Sequence, residues 1–141
     1  MSKQPITLDS FEKIAQYCRN HIKGLEPSKK PAYAQIFGVL SKSIEKYSHF
    51  EILGSDKDKI LFVEFHIEGE EETKMLQTAI KYWKDICVFD KKIQYLPKWR
   101  EKGRLRIGCN YSDGAEKICA YINEFIYQVK SRIESMMAGA K

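Results

Sequence analysis

The chain has 141 residues, about the size of one domain, and its 43% hydrophobic content with only four prolines excludes an intrinsically disordered protein. Its net charge is only +5, so the chain as a whole is not strongly basic. The positions of the basic residues are therefore more informative than their number. The longest apolar run, residues 60–63, excludes a membrane-spanning helix, which needs about 20 apolar residues.

The cysteines and the N-terminal sequence favour a reducing compartment. The four cysteines show no CxxC spacing, and three of them have apolar neighbours, which is typical of buried free thiols. Residues 1–13 contain no apolar segment of the kind found in a secretory signal. We therefore expect a cytoplasmic protein without membrane association, and two disulfides stay an alternative only for a secreted chain.

Two helices are predicted at the N-terminal end. Apolar residues at steps of three and four predict the first helix over residues 9–23, with Asp9 as its N-cap and Glu12 completing a capping box. A second helix is predicted over residues 31–47, because Pro31 suits a first helical turn and the following apolar residues fall on one face. Those apolar residues are Tyr33, Ile36, Phe37, Leu40, Ile44 and Tyr47.

The pattern then changes to alternation. Residues 50–53 and 60–67 flank the turn-forming residues 54–58, which predicts a β-hairpin. In the second arm, one face is wholly apolar and the other mixed, because side chains alternate along a strand. The apolar face has Leu61, Val63, Phe65 and Ile67, and the mixed face has Ile60, Phe62, Glu64 and His66. This pattern predicts a sheet with helices on one side only.

The rest of the chain predicts a third helix, two strands and a long last helix. The third helix follows the acidic residues 70–72, the strands cover residues 87–96 and 104–111, and Asp113 with Glu116 caps the last helix. The order α-α-β-β-α-β-β-α predicts a single α+β domain over residues 1–141. We expect a four-stranded antiparallel sheet with helices packed on one face, and frayed ends at residues 1–8 and 134–141.

Residues 91–106, called the basic segment below, carry most of the positive charge. They contain seven Lys or Arg against the single acid Glu101, a surplus of six, while the rest of the chain sums to −1. If Leu105 and Ile107 face the helices, Arg104 and Arg106 share the open face of the sheet. The predicted ligand-binding residues are Lys92, Lys98, Trp99, Arg100, Lys102, Arg104 and Arg106.

This segment predicts a small non-enzymatic protein that binds DNA, RNA or another phosphate-rich ligand and needs no cofactor. Arginine donates paired hydrogen bonds to phosphate, and an exposed Trp99 would stack on a base. Two alternatives stay open: the charges are solvated or paired within the molecule, or they bind an acidic protein, as in an inhibitor, adaptor or immunity-type protein. A homodimer also stays open, because the helices offer many apolar faces.

Two weaker patterns concern metals, and neither is specific enough to assign metal ligands or catalytic residues. The first is a metal-dependent nuclease built from Asp58, Glu64 and His66, near the acid Asp56. The second is half of a zinc site at Cys18 and His21, three residues apart on the first helix. Asp56 and Asp58 also suit a plain turn, and Cys18 fits the apolar stripe of its helix.

Overall fold

A six-stranded antiparallel sheet, with a long C-terminal helix on one face, forms the body of the protein. The computed structural model describes residues 9–27, 32–68, 73–97 and 103–139. The helices are α1 (Phe11–Arg19), α2 (Lys42–Glu45), α3 (Lys74–Ile80) and α4 (Ala115–Gly139). The strands are β1 (Leu25–Pro27), β2 (Tyr33–Ile36), β3 (Ser48–Ser55), β4 (Ile60–Ile67), β5 (Cys87–Val88), β6 (Lys91–Lys92), β7 (Gln94–Leu96) and β8 (Arg104–Asn110).

The strand order of the main sheet is β1-β2-β3-β4-β8-β7, and β5 with β6 forms a separate two-stranded ribbon. The α+β class is therefore confirmed, whereas the predicted four-stranded sheet is wrong. The hairpin at its centre is confirmed: β3 and β4 pair along their full length, from Ser48 opposite Ile67 to Ser55 opposite Ile60. Strands β1 and β2 extend the sheet beyond β3, and β2 lies within residues 31–47, which the sequence predicts as a helix.

The predicted second helix is the main error. Residues 33–36 form β2, which pairs with β3 from Tyr33 opposite Leu53 to Ile36 opposite Phe50, and only the short helix α2 follows. Spacings of three and four among apolar residues do not exclude a strand of four residues. The open edge of β3 supplies backbone hydrogen bonds to this segment, and such tertiary pairing outweighs a weak helical preference.

Three smaller boundaries also differ from the sequence prediction. Residues 87–96 do not form one strand, because Phe89 has a positive φ of 56° and turns the chain between β5 and β6. Ser10 caps α1 instead of Asp9, accepting a hydrogen bond from the Lys13 backbone N–H at 3.3 Å. Asp113 belongs to a 3₁₀ turn, Tyr111–Asp113, where it accepts from the Asn110 N–H at 3.1 Å.

The core lies between the sheet and helices α1 and α4. Every apolar side chain predicted on the inner face of β4 is fully buried. Helix α4 contacts the sheet through Phe125, whose ring lies 6.0 Å from that of Phe50, and it continues through residues 134–139, where we expected fraying.

Cys87 is exposed, although we expected the cysteines to be buried. Within the described ranges, no helix combines the length and apolar character needed to cross a membrane.

Candidate ligand site on the polar face of the sheet

The face of the sheet that points away from α1 and α4, called the polar face, carries a two-by-three array of ionisable side chains on β3, β4 and β8. His49, His66 and Arg104 lie opposite one another in one row. Glu51, Glu64 and Arg106 form the next row. We call these six residues the polar cluster.

Strand geometry explains why these residues meet. Residues two apart on one strand share a face, and antiparallel pairing places the equivalent positions of neighbouring strands side by side. The residues between them, Phe50, Phe65 and Leu105, point into the core and are fully buried. On each of the three strands, the two side chains of the polar cluster therefore flank one apolar side chain that points into the core.

Glu64 is the most heavily contacted residue of the cluster and is completely buried. One of its carboxylate oxygens lies 2.5 Å from His66 Nε2 and accepts from Arg104 Nη1 at 3.1 Å. The other accepts from Arg106 Nε at 2.5 Å and also contacts Nη2 of the same guanidinium. Burial alone would raise the pKa of this carboxyl, but hydrogen bonds to His66 and Arg106 and the charge of Arg106 outweigh it and lower the pKa.

Glu51 forms a second centre of contacts, next to Glu64 on the neighbouring strand. Its Oε1 atom lies 2.9 Å from His49 Nε2 and 3.0 Å from His66 Nδ1. The Tyr33 hydroxyl donates to the same oxygen at 3.0 Å, and Gln35 donates to that hydroxyl at 3.2 Å. Burial, followed by the adjacent Glu51 carboxylate, raises the pKa of Tyr33. His66 thus lies between two carboxylates, with one ring nitrogen towards each.

Arg104 and Arg106 lie on the face that strand alternation predicted, and both contact Glu64. This face is not open at Arg104, however, because that residue and Glu64 are buried. Arg104 is only 8% exposed, whereas the Arg106 side chain keeps 18% of its surface accessible. Lys92 is exposed on β6, in the separate ribbon. The other predicted ligand residues, Lys98, Trp99, Arg100 and Lys102, lie outside the described residues. The intramolecular alternative therefore applies to the two arginines, with Glu64 as their partner.

The structure brings together only some of the residues of the two metal patterns predicted from the sequence. Glu64 and His66 lie together on the polar face, but Asp58 is in the hairpin turn, where it accepts from the Ser55 hydroxyl at 3.2 Å. Asp58 precedes the start of β4 at Ile60, and the four strand steps from Ile60 to Glu64 span about 13 Å at 3.3 Å per residue. Cys18 is buried with its Sγ 2.8 Å from Cys119 Sγ, and the exposed His21 stacks on Tyr17 at 4.4 Å.

The sequence analysis missed His49 and Glu51. A signal for them exists, because residues 49–51 read His-Phe-Glu and residues 64–66 read Glu-Phe-His. In an antiparallel hairpin, two mirrored triplets at equal distances from the turn place His opposite His and Glu opposite Glu, as the register has them.

Comparison with protein-family models, curated proteins and solved structures found no match to this chain. The polar cluster and the basic segment are therefore the features from which a function can be inferred. Both can recognise an anion, since arginine and lysine are the residues that bind phosphate.

Proposed function

We propose that this protein binds a phosphate-bearing ligand, foremost a nucleic acid, with Arg106 and the basic segment as its contacts. The observation that carries the proposal is the way in which Arg106 is held. Its guanidinium bonds to Glu64 on one side and lies 4.0 Å from the centre of the Phe62 ring. An ion pair and a cation–π contact together fix the plane of the group before any ligand arrives.

A fixed guanidinium favours phosphate binding in two ways. Binding loses less side-chain entropy when the donor already has its bound orientation. The group also has five N–H donors, and the contacts to Glu64 involve only Nε and Nη2. Because the Arg106 side chain is partly accessible, its remaining donors are available to a ligand lying across the polar face.

Arg104 has a different role in this proposal. It is buried and bonds to Glu64, so we assign it as a positioning residue that balances the Glu64 charge. Lys92 is exposed and adds positive potential. Lys98, Arg100 and Lys102, with Trp99 as a stacking residue, remain contacts proposed from the sequence alone.

The test is fluorescence anisotropy with labelled single- and double-stranded DNA and RNA at two salt concentrations. We expect binding that weakens steeply with salt, since each phosphate contact releases counterions. Arg106→Gln should weaken binding about tenfold and reduce the salt dependence by about one ion. Lys23→Gln is the control, because it removes the same charge from an exposed position outside the basic segment.

Three results would contradict nucleic-acid binding. They are the absence of salt-sensitive binding, equal effects of Arg106→Gln and Lys23→Gln, and binding of an acidic protein without any binding of nucleic acid. The last result would instead support the protein-interaction alternative. Competition by a mononucleotide at micromolar concentration would identify a nucleotide as the phosphate source.

A further inference from the structure

We propose that His49, Glu51 and His66 form a binding site for a divalent first-row transition-metal ion. The three side chains each offer one ligand atom, and these atoms all lie within 4.8 Å of one another. They come from two paired strands, with His49 directly opposite His66 and Glu51 two residues along β3. The three ligand residues do not include Arg106, so this proposal does not rest on the proposed function.

The distances match a coordination shell. Two ligand atoms that each lie about 2.1 Å from an ion are about 3.0 Å apart at a right angle and about 3.4 Å apart in a tetrahedron. Glu51 Oε1 lies 2.9 Å from His49 Nε2 and 3.0 Å from His66 Nδ1. All three ligand atoms lie within 4.8 Å of one another, so an ion that binds all three needs side-chain rotations that keep every pair below about 4.2 Å, twice the bond length.

The type of ligand selects the class of metal. Two imidazoles with one carboxylate suit zinc, iron(II), cobalt(II), nickel or manganese, whereas magnesium and calcium prefer oxygen ligands alone. Three protein ligands also leave one or more coordination positions for water or for an exogenous ligand. The site thus has the composition of a reactive metal centre rather than of a closed structural one.

The surroundings of His66 supply the orienting contact that metal-binding histidines use. Its Nε2 lies 2.5 Å from Glu64, and a carboxylate that accepts from one ring nitrogen leaves the other nitrogen as a metal ligand. Arg104 and Arg106 in turn hold Glu64. Tyr33 donates to the same Glu51 oxygen that faces the two histidines, and this hydrogen bond fixes the orientation of the carboxylate.

The contacts of Glu51 also favour a cation at this position. When Nε2 of a neutral His66 donates to Glu64, its Nδ1 is an acceptor that faces another acceptor, the Glu51 oxygen, at 3.0 Å. A metal ion between these two atoms would be bonded by both of them. His49, Glu51 and His66 are 8%, 2% and 5% exposed, so this cation would be largely shielded from water.

The experiment is a titration of the untagged, chelator-treated full chain with Co²⁺, followed by visible absorption, and with Zn²⁺, followed by calorimetry. We expect one ion per chain at micromolar affinity, and d–d bands of nitrogen and oxygen coordination without a thiolate charge-transfer band. Glu51→Gln and His66→Gln should each weaken binding at least tenfold. His21→Ala is the matched control, because it removes a histidine that lies on α1 outside the cluster.

Thermal unfolding provides a second measurement of metal binding if a variant is poorly stable. An ion that binds the native state raises the Tm, so Zn²⁺ should raise the Tm of the parent and of His21→Ala but not that of Glu51→Gln. The proposal is overturned if the parent binds no ion at micromolar concentration, if thiolate bands appear, or if folded Glu51→Gln and His66→Gln bind as tightly as the parent. Any of these results would mean that His49, Glu51 and His66 serve only as hydrogen-bond partners of one another.

Discussion

Cys18 on α1 and Cys119 on α4 lie with their sulfur atoms 2.8 Å apart in the core, although 101 residues separate them in the chain. Both are free thiols. The hydrogen bond from Cys18 lowers the pKa of Cys119, whereas that bond and burial raise the pKa of Cys18. Cys119 is therefore the thiol of this pair that ionises first.

We predict that a diamide-type oxidant links Cys18 to Cys119 within one chain. A cross-link closing a loop of about 100 residues stabilises by at most about 4.7 kcal/mol in the chain-entropy model, so the Tm should rise. Peptide mass mapping without reduction locates the bond. Cys87→Ser is the background for the experiment, because Cys87 is exposed and would join separate molecules. A Cys18→Ser variant with an equal rise in Tm would show that another pair is responsible.

Gly54 on β3 provides a test of core packing. A Cβ atom there would lie 2.6 Å from the Phe11 ring and 2.7 Å from the Tyr111 hydroxyl. We expect Gly54→Ala to lower the free energy of unfolding by about 1–3 kcal/mol, the usual cost of overpacking, as measured in urea. Gly108→Ala is the comparison, because the nearest neighbour of its Cβ would be the partly exposed Phe62 ring at 3.1 Å, so its cost should be smaller.

Asp56 links the hairpin turn to α1 and should make stability depend on pH. It accepts from the Phe11 N–H and from the Tyr111 hydroxyl, each at 2.8 Å, and these hydrogen bonds lower its pKa. A lowered pKa in the folded state gives stability that is present above the unfolded value, about 3.9, and is lost as the pH falls through the folded value.

Asp56→Asn should therefore lower the Tm at pH 7 and have progressively less effect towards pH 3. Circular dichroism melts of both proteins between pH 3 and pH 7 measure this difference. Asp58→Asn is the control, because that residue lies in the same turn without a contact to α1 or Tyr111 among the described residues. A constant difference between Asp56→Asn and the parent at every pH would show that the charge of Asp56 contributes nothing.

Some features of the structure follow from strand alternation along one segment, whereas others depend on pairing between segments that are distant in the sequence. The alternation around Glu64 and around Arg106 depends only on strand geometry, and the structure places both side chains on the polar face as alternation requires. Residues 33–36 could not be assigned in this way, because their strand conformation depends on pairing with β3. Glu64 could not be predicted as the partner of Arg104 and Arg106 either. The three residues meet through the β4–β8 register, and Glu64 lies 40 and 42 positions before the two arginines in the chain.

Glu64 should be the most sensitive position of the polar cluster. Its removal leaves Arg104 and Arg106 without the carboxylate that both contact in a buried site. Breaking such a pair from one side costs about 3–5 kcal/mol, so we expect Glu64→Ala to lower the free energy of unfolding by that amount in urea. Glu134→Ala is the control, because it removes a carboxylate from an exposed position on α4. A cost below about 1 kcal/mol would indicate that water already screens the cluster.

If both proposals hold, the metal ion and the phosphate ligand should bind cooperatively. Glu51, Glu64 and Arg106 are direct neighbours across three strands, and an ion at Glu51 adds positive charge beside the fixed guanidinium. We expect saturating Zn²⁺ to raise the oligonucleotide affinity at least fivefold, and the oligonucleotide to raise the Zn²⁺ affinity by the same factor, because coupling between sites is reciprocal. Arg106→Gln should abolish the coupling, so that Zn²⁺ no longer changes the oligonucleotide affinity of the variant. Equal oligonucleotide affinity with and without Zn²⁺ would mean that the two ligands occupy separate parts of the protein.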